Sequence, residues 1–108
     1  MSYNVISLPP FDKQAKRLIK KYPSLKKELA GLISALKDEP KQGTSIGNNC
    51  FKIRLSISSK GKGKSGGARV ITHLFISEET VILMALYDKS EQNNISDSAI
   101  KELLNLIY

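Results

Sequence analysis

Apolar side chains recur at a helical spacing in the first third of the chain and at a strand spacing further on. Between positions 11 and 36 two stripes repeat every three or four residues, the period of an amphipathic helix, and Pro23 separates them. The stripes are Phe11, Ala15, Leu18, Ile19 and Tyr22, then Leu25, Leu29, Leu32, Ile33 and Leu36. The pattern predicts two helices joined by a tight turn, after a short opening strand at Val5–Leu8.

From Phe51 onward the apolar period changes to two. Phe51, Ile53, Leu55 and Ile57 alternate with polar residues, as on a strand that buries one face. Residues 68–76 and 81–87 are apolar at nearly every position, which is typical of strands covered on both faces. Residues 77–80 supply a hairpin turn between them, and residues 96–107 predict a last amphipathic helix.

The predicted element order is therefore β-α-α-β-β-β-α. Helices followed by hairpin-linked strands indicate an α+β fold, with a helical hairpin packed on a largely antiparallel four-stranded sheet. A length of 108 residues supports one core, so we expect a single domain over residues 1–108.

The basic residues are concentrated in one third of the chain. Between Pro40 and Ser77 there are seven lysines and arginines and no acid, whereas elsewhere ten basic residues balance ten acidic ones. A field of one sign on one segment favours a polyphosphate partner, because each cation that meets a phosphate releases a counterion. The charge pattern makes RNA or DNA the first partner to consider, against the alternative of lysines that serve solubility alone.

The strand pattern places three of these cations on one face. Lys52 and Arg54 are two residues apart and project from the polar face of the same strand. Antiparallel pairing would bring Arg69 beside them, with His73 four residues further along. The three cations could form a phosphate-binding site or an ordinary solvated face, and His73 among apolar neighbours could be a core histidine.

A glycine- and lysine-rich segment, residues 60–67, connects the two strands. It resembles the end of a nucleotide-binding P-loop, but no glycine stands at position 58 and a strand follows instead of a helix. We therefore expect a flexible loop whose lysines, Lys60, Lys62 and Lys64, bind a nucleic-acid backbone.

The remaining features exclude several classes of protein. The single cysteine, Cys50, rules out an internal disulfide framework, and no Cys/His spacing indicates a metal site. The first ten residues do not read as a signal peptide, and no apolar run approaches the length of a membrane span. We expect a soluble, cytoplasmic protein with no metal, no small-molecule cofactor and no membrane partner.

Three segments together resemble the RelE/ParE superfamily of toxins from type II toxin–antitoxin systems, and most of all its HigB-like branch. They are the Phe-Lys-Ile-Arg-Leu strand (51–55), the Gly/Lys segment that runs into Gly-Gly-Ala-Arg-Val-Ile (60–71), and Leu-Tyr-Asp-Lys-Ser-Glu (86–91). With the helical hairpin, the resemblance spans nearly the whole chain.

The resemblance implies a ribosome-dependent mRNA endonuclease that acts in the A site without a metal. In that reaction the 2′-hydroxyl attacks the neighbouring phosphate and gives a 2′,3′-cyclic phosphate and a free 5′-hydroxyl. It implies that Lys52 and Arg54 hold or deprotonate the nucleophile side and that Arg69 stabilises the phosphorane charge. Lys89 and Glu91 match the polar cluster after the last strand.

The chain departs from the family pattern at the acid for the leaving group. The late tyrosine near the last helix is missing, since Ile95 or Ser96 occupies that neighbourhood, and Ser90 stands where RelE has an arginine. His73 and Tyr87 are the candidates to replace the missing acid.

The resemblance also implies partners and leaves alternatives. An endonuclease of this kind would contact the ribosome and mRNA, and a cognate antitoxin would cover its basic face. The alternatives are a ParE-like toxin that inhibits DNA gyrase without catalysis, and an inactive nucleic-acid-binding relative on the same scaffold.

Overall fold

The structure, a computed structural model, describes residues 2–60 and 66–108. The predicted RNA-binding residues Lys62 and Lys64 lie outside these ranges. Besides short 3₁₀ turns, the described chain forms these elements in order: β1 (Asn4–Ser7), α1 (Pro9–Lys21), α2 (Leu25–Asp38), β2 (Thr44–Gly47), β3 (Cys50–Leu55), β4 (Ala68–Phe75), β5 (Thr80–Asp88) and α3 (Asp97–Asn105). The α+β class predicted from the sequence is confirmed.

The five described strands form one sheet in the order β1-β5-β4-β3-β2. β1 runs parallel to β5, and the other neighbours are antiparallel. The prediction of four strands is wrong by one, because no strand was predicted between the helical hairpin and Phe51, where β2 lies. Its single apolar residue is Ile46, and it turns into β3 through Asn48 and Asn49, whose φ angles are 54° and 57°. Two consecutive positive φ angles are those of a type I′ hairpin turn, which asparagine tolerates.

The helical hairpin covers one face of the sheet. Leu18, Leu25 and Leu36 are fully buried against a continuous core that includes Ile53 and Val70 of the sheet. Both predicted stripes therefore face inward as expected, and Pro9 and Pro10 occupy the first turn of α1, where a proline N–H would not be needed.

Helix α3 covers part of the opposite face. Ile100 and Leu103 pack on a second apolar cluster that contains Ile71 and Tyr87, and Ser96 caps the helix by accepting a hydrogen bond from the Ala99 amide at 3.1 Å. With nine residues α3 is only about 14 Å long, so part of this face is left without a helix above it. None of the described helices is long and apolar enough to cross a membrane.

Candidate functional site

Three polar side chains lie side by side on the three central strands of the sheet. Arg54 on β3 is directly opposite Arg69 on β4, and Arg69 is directly opposite Tyr87 on β5. Directly opposed residues share a face, with Cβ atoms about 5 Å apart. We call Arg54, Arg69 and Tyr87 the basic row; it lies on the face that α3 partly covers. The prediction that antiparallel pairing brings Arg69 beside Arg54 is confirmed.

Lys52 extends this group along β3. It pairs with Ile71, two residue pairs further from the end of the β3–β4 ladder than Arg54, and lies on the same face as Arg54, about 7 Å away along the strand. Lys52 is half-buried and Arg54 is exposed. The cations of this face therefore range from accessible to enclosed within one short stretch of sheet.

Arg69 is the enclosed cation of the basic row. Its side chain is 5% exposed, and Nη1 donates to the carbonyl of Ala68 at 3.1 Å. A guanidinium stays charged even when buried. Two guanidinium groups at directly opposed positions carry several N–H donors, so Arg54 and Arg69 together suit an anion between or above them.

Tyr87 supplies a hydroxyl without a partner. The residue is 6% exposed, and its buried oxygen has no hydrogen bond within the described part of the chain. Burial raises the pKa of Tyr87, and the charge of Arg69 opposes that rise without cancelling it. The phenol is therefore protonated at neutral pH. An unsatisfied buried hydroxyl costs about 1–3 kcal/mol, so its place beside Arg69 suits a ligand oxygen that would accept its proton.

His73, predicted as a catalytic candidate, lies apart from the basic row. It is four residues from Arg69, about 13 Å along β4, and only 3% exposed. Its Nε2 is 2.5 Å from the Tyr108 hydroxyl and its Nδ1 is 3.5 Å from Sγ of Cys50. Burial lowers the pKa of His73, partly offset by a hydrogen bond to the Asn48 backbone, and burial raises the pKa of Cys50 to about 11. The surroundings are those of a core histidine, the alternative left open by the sequence.

Lys60, predicted to bind RNA, lies in a buried ion pair on the other face of the sheet. Its Nζ is 2.6 Å from Oδ1 of Asp88 and 3.1 Å from Oγ of Ser90, and the two charged side chains are 7% and 0% exposed. Asp88 also accepts hydrogen bonds from the Tyr22 hydroxyl at 2.9 Å and from Ser90. Burial raises the pKa of Asp88, but the hydrogen bonds from Lys60, Ser90 and Tyr22 outweigh it and hold that pKa well below its usual range.

Lys89 and Glu91 lie in the turn after β5 and bind neighbours within the protein. The Lys89 ammonium donates to the backbone and side-chain oxygens of Asn93 at 2.7 and 2.8 Å. Glu91 pairs with Arg17 at 2.8 Å and Lys21 at 3.3 Å, and the hydrogen bond from Arg17 is the main cause of its lowered pKa. The contacts of Glu91 fasten the turn to α1.

Sequence reasoning missed the partners that hold these groups. Asp88 and Tyr22 are 66 positions apart, and Arg17 and Glu91 are 74 apart. The sequence indicated the role of Asp88 only weakly. Asp88 is an acid that directly ends an otherwise apolar strand, and the alternation of side chains along β5 places it on the face under the helical hairpin. A metal is not suggested by the described residues, in which no three His, Cys, Asp or Glu side chains gather.

Comparison with known proteins places the chain in a family. A profile described as "RelE toxin of RelE / RelB toxin-antitoxin system" matches residues 11–107. The chain belongs to the RelE toxin family. The resemblance to RelE inferred from the sequence is thereby confirmed.

Solved structures of RelE share the fold. A double mutant of E. coli RelE in the free state matches with a TM-score of 0.67 and 14% identity over 100% of both chains. Isolated E. coli RelE in its P21 form gives 0.63 and 14% identity over 99% of this chain and 100% of that one. A chain of the intact E. coli RelBE toxin–antitoxin complex gives 0.52 and 18%, over 81% and 96%. At such identities the likeness establishes the fold, and the roles of individual residues must come from the geometry.

Proposed function

We propose that this RelE-family toxin is a ribosome-dependent endoribonuclease that cuts mRNA and so inhibits translation. The observation that carries the proposal is the basic row, in which two arginines and a protonated phenol with no hydrogen-bond partner among residues 2–60 and 66–108 lie on adjacent strands. The three groups match what in-line cleavage of a phosphodiester requires.

The arginines stabilise the negative charge that develops on the phosphate. When the 2′-hydroxyl attacks, negative charge accumulates on the equatorial oxygens of the pentavalent phosphorane. A preorganised buried cation such as Arg69 stabilises that charge without having to reorganise, whereas exposed Arg54 acts in a more strongly screened environment. Arg69 is therefore the main stabiliser in this proposal, and Arg54 assists it.

Proton transfer falls to Lys52 and Tyr87, at opposite ends of the group. Once its ammonium has released a proton to solvent, the Lys52 amine takes the proton of the 2′-hydroxyl as the new P–O bond forms, and Tyr87 gives its proton to the departing 5′-oxygen as the old P–O bond breaks. The products are a 2′,3′-cyclic phosphate and a 5′-hydroxyl. Tyr87 thus takes the place of the family's missing late tyrosine. We give His73, Lys60, Lys89 and Glu91 no role in the reaction, since each is engaged elsewhere in the protein.

A cognate antitoxin completes the proposal. E. coli RelE forms a toxin–antitoxin complex with RelB. For this chain we propose a partner with an acidic segment that covers Lys52, Arg54 and Arg69 and neutralises them. A variant with Lys52→Glu and Arg54→Glu should then lose affinity for the antitoxin, and binding at the wild-type level would contradict this arrangement.

Translation in a purified ribosomal system, followed by primer extension on the mRNA, tests the activity. Wild type should cut at A-site codons only when ribosomes are present, and Arg69→Ala should lower the rate about 10²- to 10³-fold, as the loss of a charge-stabilising donor does. Intact mRNA and normal translation with folded wild-type protein would overturn the proposal. A parallel DNA gyrase supercoiling assay would then test the ParE-like alternative.

A further inference from the structure

The basic row lies close to the end of the β4–β5 ladder. Arg69 and Tyr87 form the second-last residue pair, and Ala68 with Asp88 forms the last. Beyond it, one backbone hydrogen bond joins the Lys89 amide to the Gly67 carbonyl at 3.0 Å. Ladder ends open locally at a lower free energy than ladder centres, so without further support this pair would lie where the sheet is least stable.

The Asp88 carboxylate provides that support on the face opposite the basic row. Oδ1 accepts from Lys60 Nζ, from the Ser90 amide at 3.0 Å and from the Ser90 hydroxyl at 2.7 Å, while Oδ2 accepts from the Tyr22 hydroxyl. These donors come from the segment after β3, from the turn after β5 and from the end of α1. One fully buried carboxylate therefore connects three parts of the molecule to the end of β5.

A contribution to folding stability does not by itself explain why a buried, hydrogen-bonded carboxylate is present at this position. Replacing a buried ion pair with apolar residues of similar volume is often neutral or stabilising, because the attraction between the charges barely offsets their desolvation. What a carboxylate with four donors does provide is a fixed orientation of the backbone that carries it.

We propose that Asp88 is a positioning residue that, through its bonds to Lys60, Tyr22 and Ser90, holds Tyr87 opposite Arg69. Side chains 87 and 88 leave the same strand on opposite faces, so fixing one fixes the backbone of the other. The inference deepens the proposed function and rests on it, because Tyr87 and Arg69 must act together for their spacing to matter. Lys60, in this account, is a structural cation rather than an RNA ligand.

The test is a double-mutant cycle in single-turnover mRNA cleavage on ribosomes. Asp88→Asn keeps the shape and removes the charge, and we expect it to slow cleavage by about ten- to a hundredfold, the loss typical of a misplaced reacting group. In a Tyr87→Phe background the same substitution should have little further effect, since the group it positions is gone. An equal fold-loss in both backgrounds, or no loss in either, would overturn the proposal.

A second variant keeps the test usable if Asp88→Asn does not fold. Lys60→Met combined with Asp88→Leu replaces the ion pair with apolar side chains and should keep most of the free energy of unfolding. We expect cleavage by this folded double variant to remain slow. Wild-type cleavage would mean that the ion pair contributes structure alone and would overturn the proposal.

Amide hydrogen exchange separates this inference from the proposed function. Asp88→Asn should speed exchange at the Lys89 and Ser90 amides, whereas Asp12→Asn, the same chemical change at an exposed acid that bonds Ser7, should not. If wild type fails to cut mRNA, the proposed function fails, while this measurement still shows whether Asp88 fixes the backbone at the end of β5. Unchanged amide exchange in Asp88→Asn would overturn the positioning role of Asp88, whatever the cleavage activity.

Discussion

The two faces of the sheet use the same strands for different purposes. The face under the helical hairpin is a continuous apolar core whose main polar group, Asp88, has all its hydrogen bonds satisfied. The face under α3 is only partly covered, and it carries opposed arginines and a buried hydroxyl without a partner. The unsatisfied hydroxyl of Tyr87 costs stability in the free protein.

The contrast shows where the sequence departs from what folding alone would select. On the first face the apolar core has a stabilising explanation, and the buried Thr72 hydroxyl, which has no hydrogen bond within the described part of the chain, is an exception. On the second face an unsatisfied hydroxyl lies in one row with two opposed arginines. Substitutions in the apolar core of the first face should therefore change stability, and substitutions in the basic row should change activity with little or opposite effect on stability. Asp88 is the exception, because from the first face it positions Tyr87.

The largest effect should come from the first face. Leu18→Ala removes a fully buried side chain and leaves a cavity, so the free energy of unfolding should fall by about 2–5 kcal/mol. Urea denaturation measures the loss, and the cleavage rate per folded molecule should not change. Normal stability in this variant would show that the hairpin is not the main stabilising layer.

Tyr87→Phe should separate activity from stability. Cleavage should fall about 10²- to 10⁴-fold with the loss of the proton donor, while stability should stay equal or rise because an unsatisfied hydroxyl disappears. Tyr22→Phe is the matched control: its hydroxyl bonds Asp88, so this variant should lose stability. Its cleavage should fall much less than that of Tyr87→Phe, because Lys60 and Ser90 still hold Asp88. The account fails here if the two variants behave alike in both assays.

Arg54→Gln should have a smaller effect than Arg69→Ala. Arg54 is exposed and its field is screened by salt, so we expect a loss of cleavage of about tenfold that shrinks as ionic strength rises. Cleavage rates at low and moderate salt measure this directly. A loss independent of salt would indicate that Arg54 is enclosed when substrate binds.

The smallest effect concerns pH and His73. Burial lowers the pKa of His73 in the folded state, so as pH falls below about 6.5 the unfolded chain takes up the proton first and folding stability decreases. Denaturation midpoints between pH 8 and 5 should show this decline, and His73→Gln should flatten it. Equal slopes for the two proteins would rule out His73 as the source.

The sequence was sufficient for features that depend on local pattern. The apolar periods predicted both hairpin helices, α3 and three of the four antiparallel strands, and strand parity placed Arg69 beside Arg54. It failed for β2, whose four residues carry one apolar side chain and whose pairing depends on two asparagines at positive φ.

The sequence could not distinguish lysines and acids that bind within the protein from those that are free to bind a ligand. From the sequence Lys60 is a loop lysine, but in the fold it contacts Asp88, which is 28 positions away. Glu91 likewise matches a site residue in the sequence, but in the fold it binds Arg17 of α1. Such partners are determined by tertiary packing, and no periodic pattern in the sequence indicates them.

The most direct test of the central claim is the chemistry of the mRNA ends after reaction with wild-type protein on translating ribosomes. The account predicts cuts in the A-site codon that leave a 2′,3′-cyclic phosphate and a 5′-hydroxyl, and that become rare with Arg69→Ala. Products with a 5′-phosphate and a 3′-hydroxyl, or cuts that persist unchanged in Arg69→Ala, would contradict it.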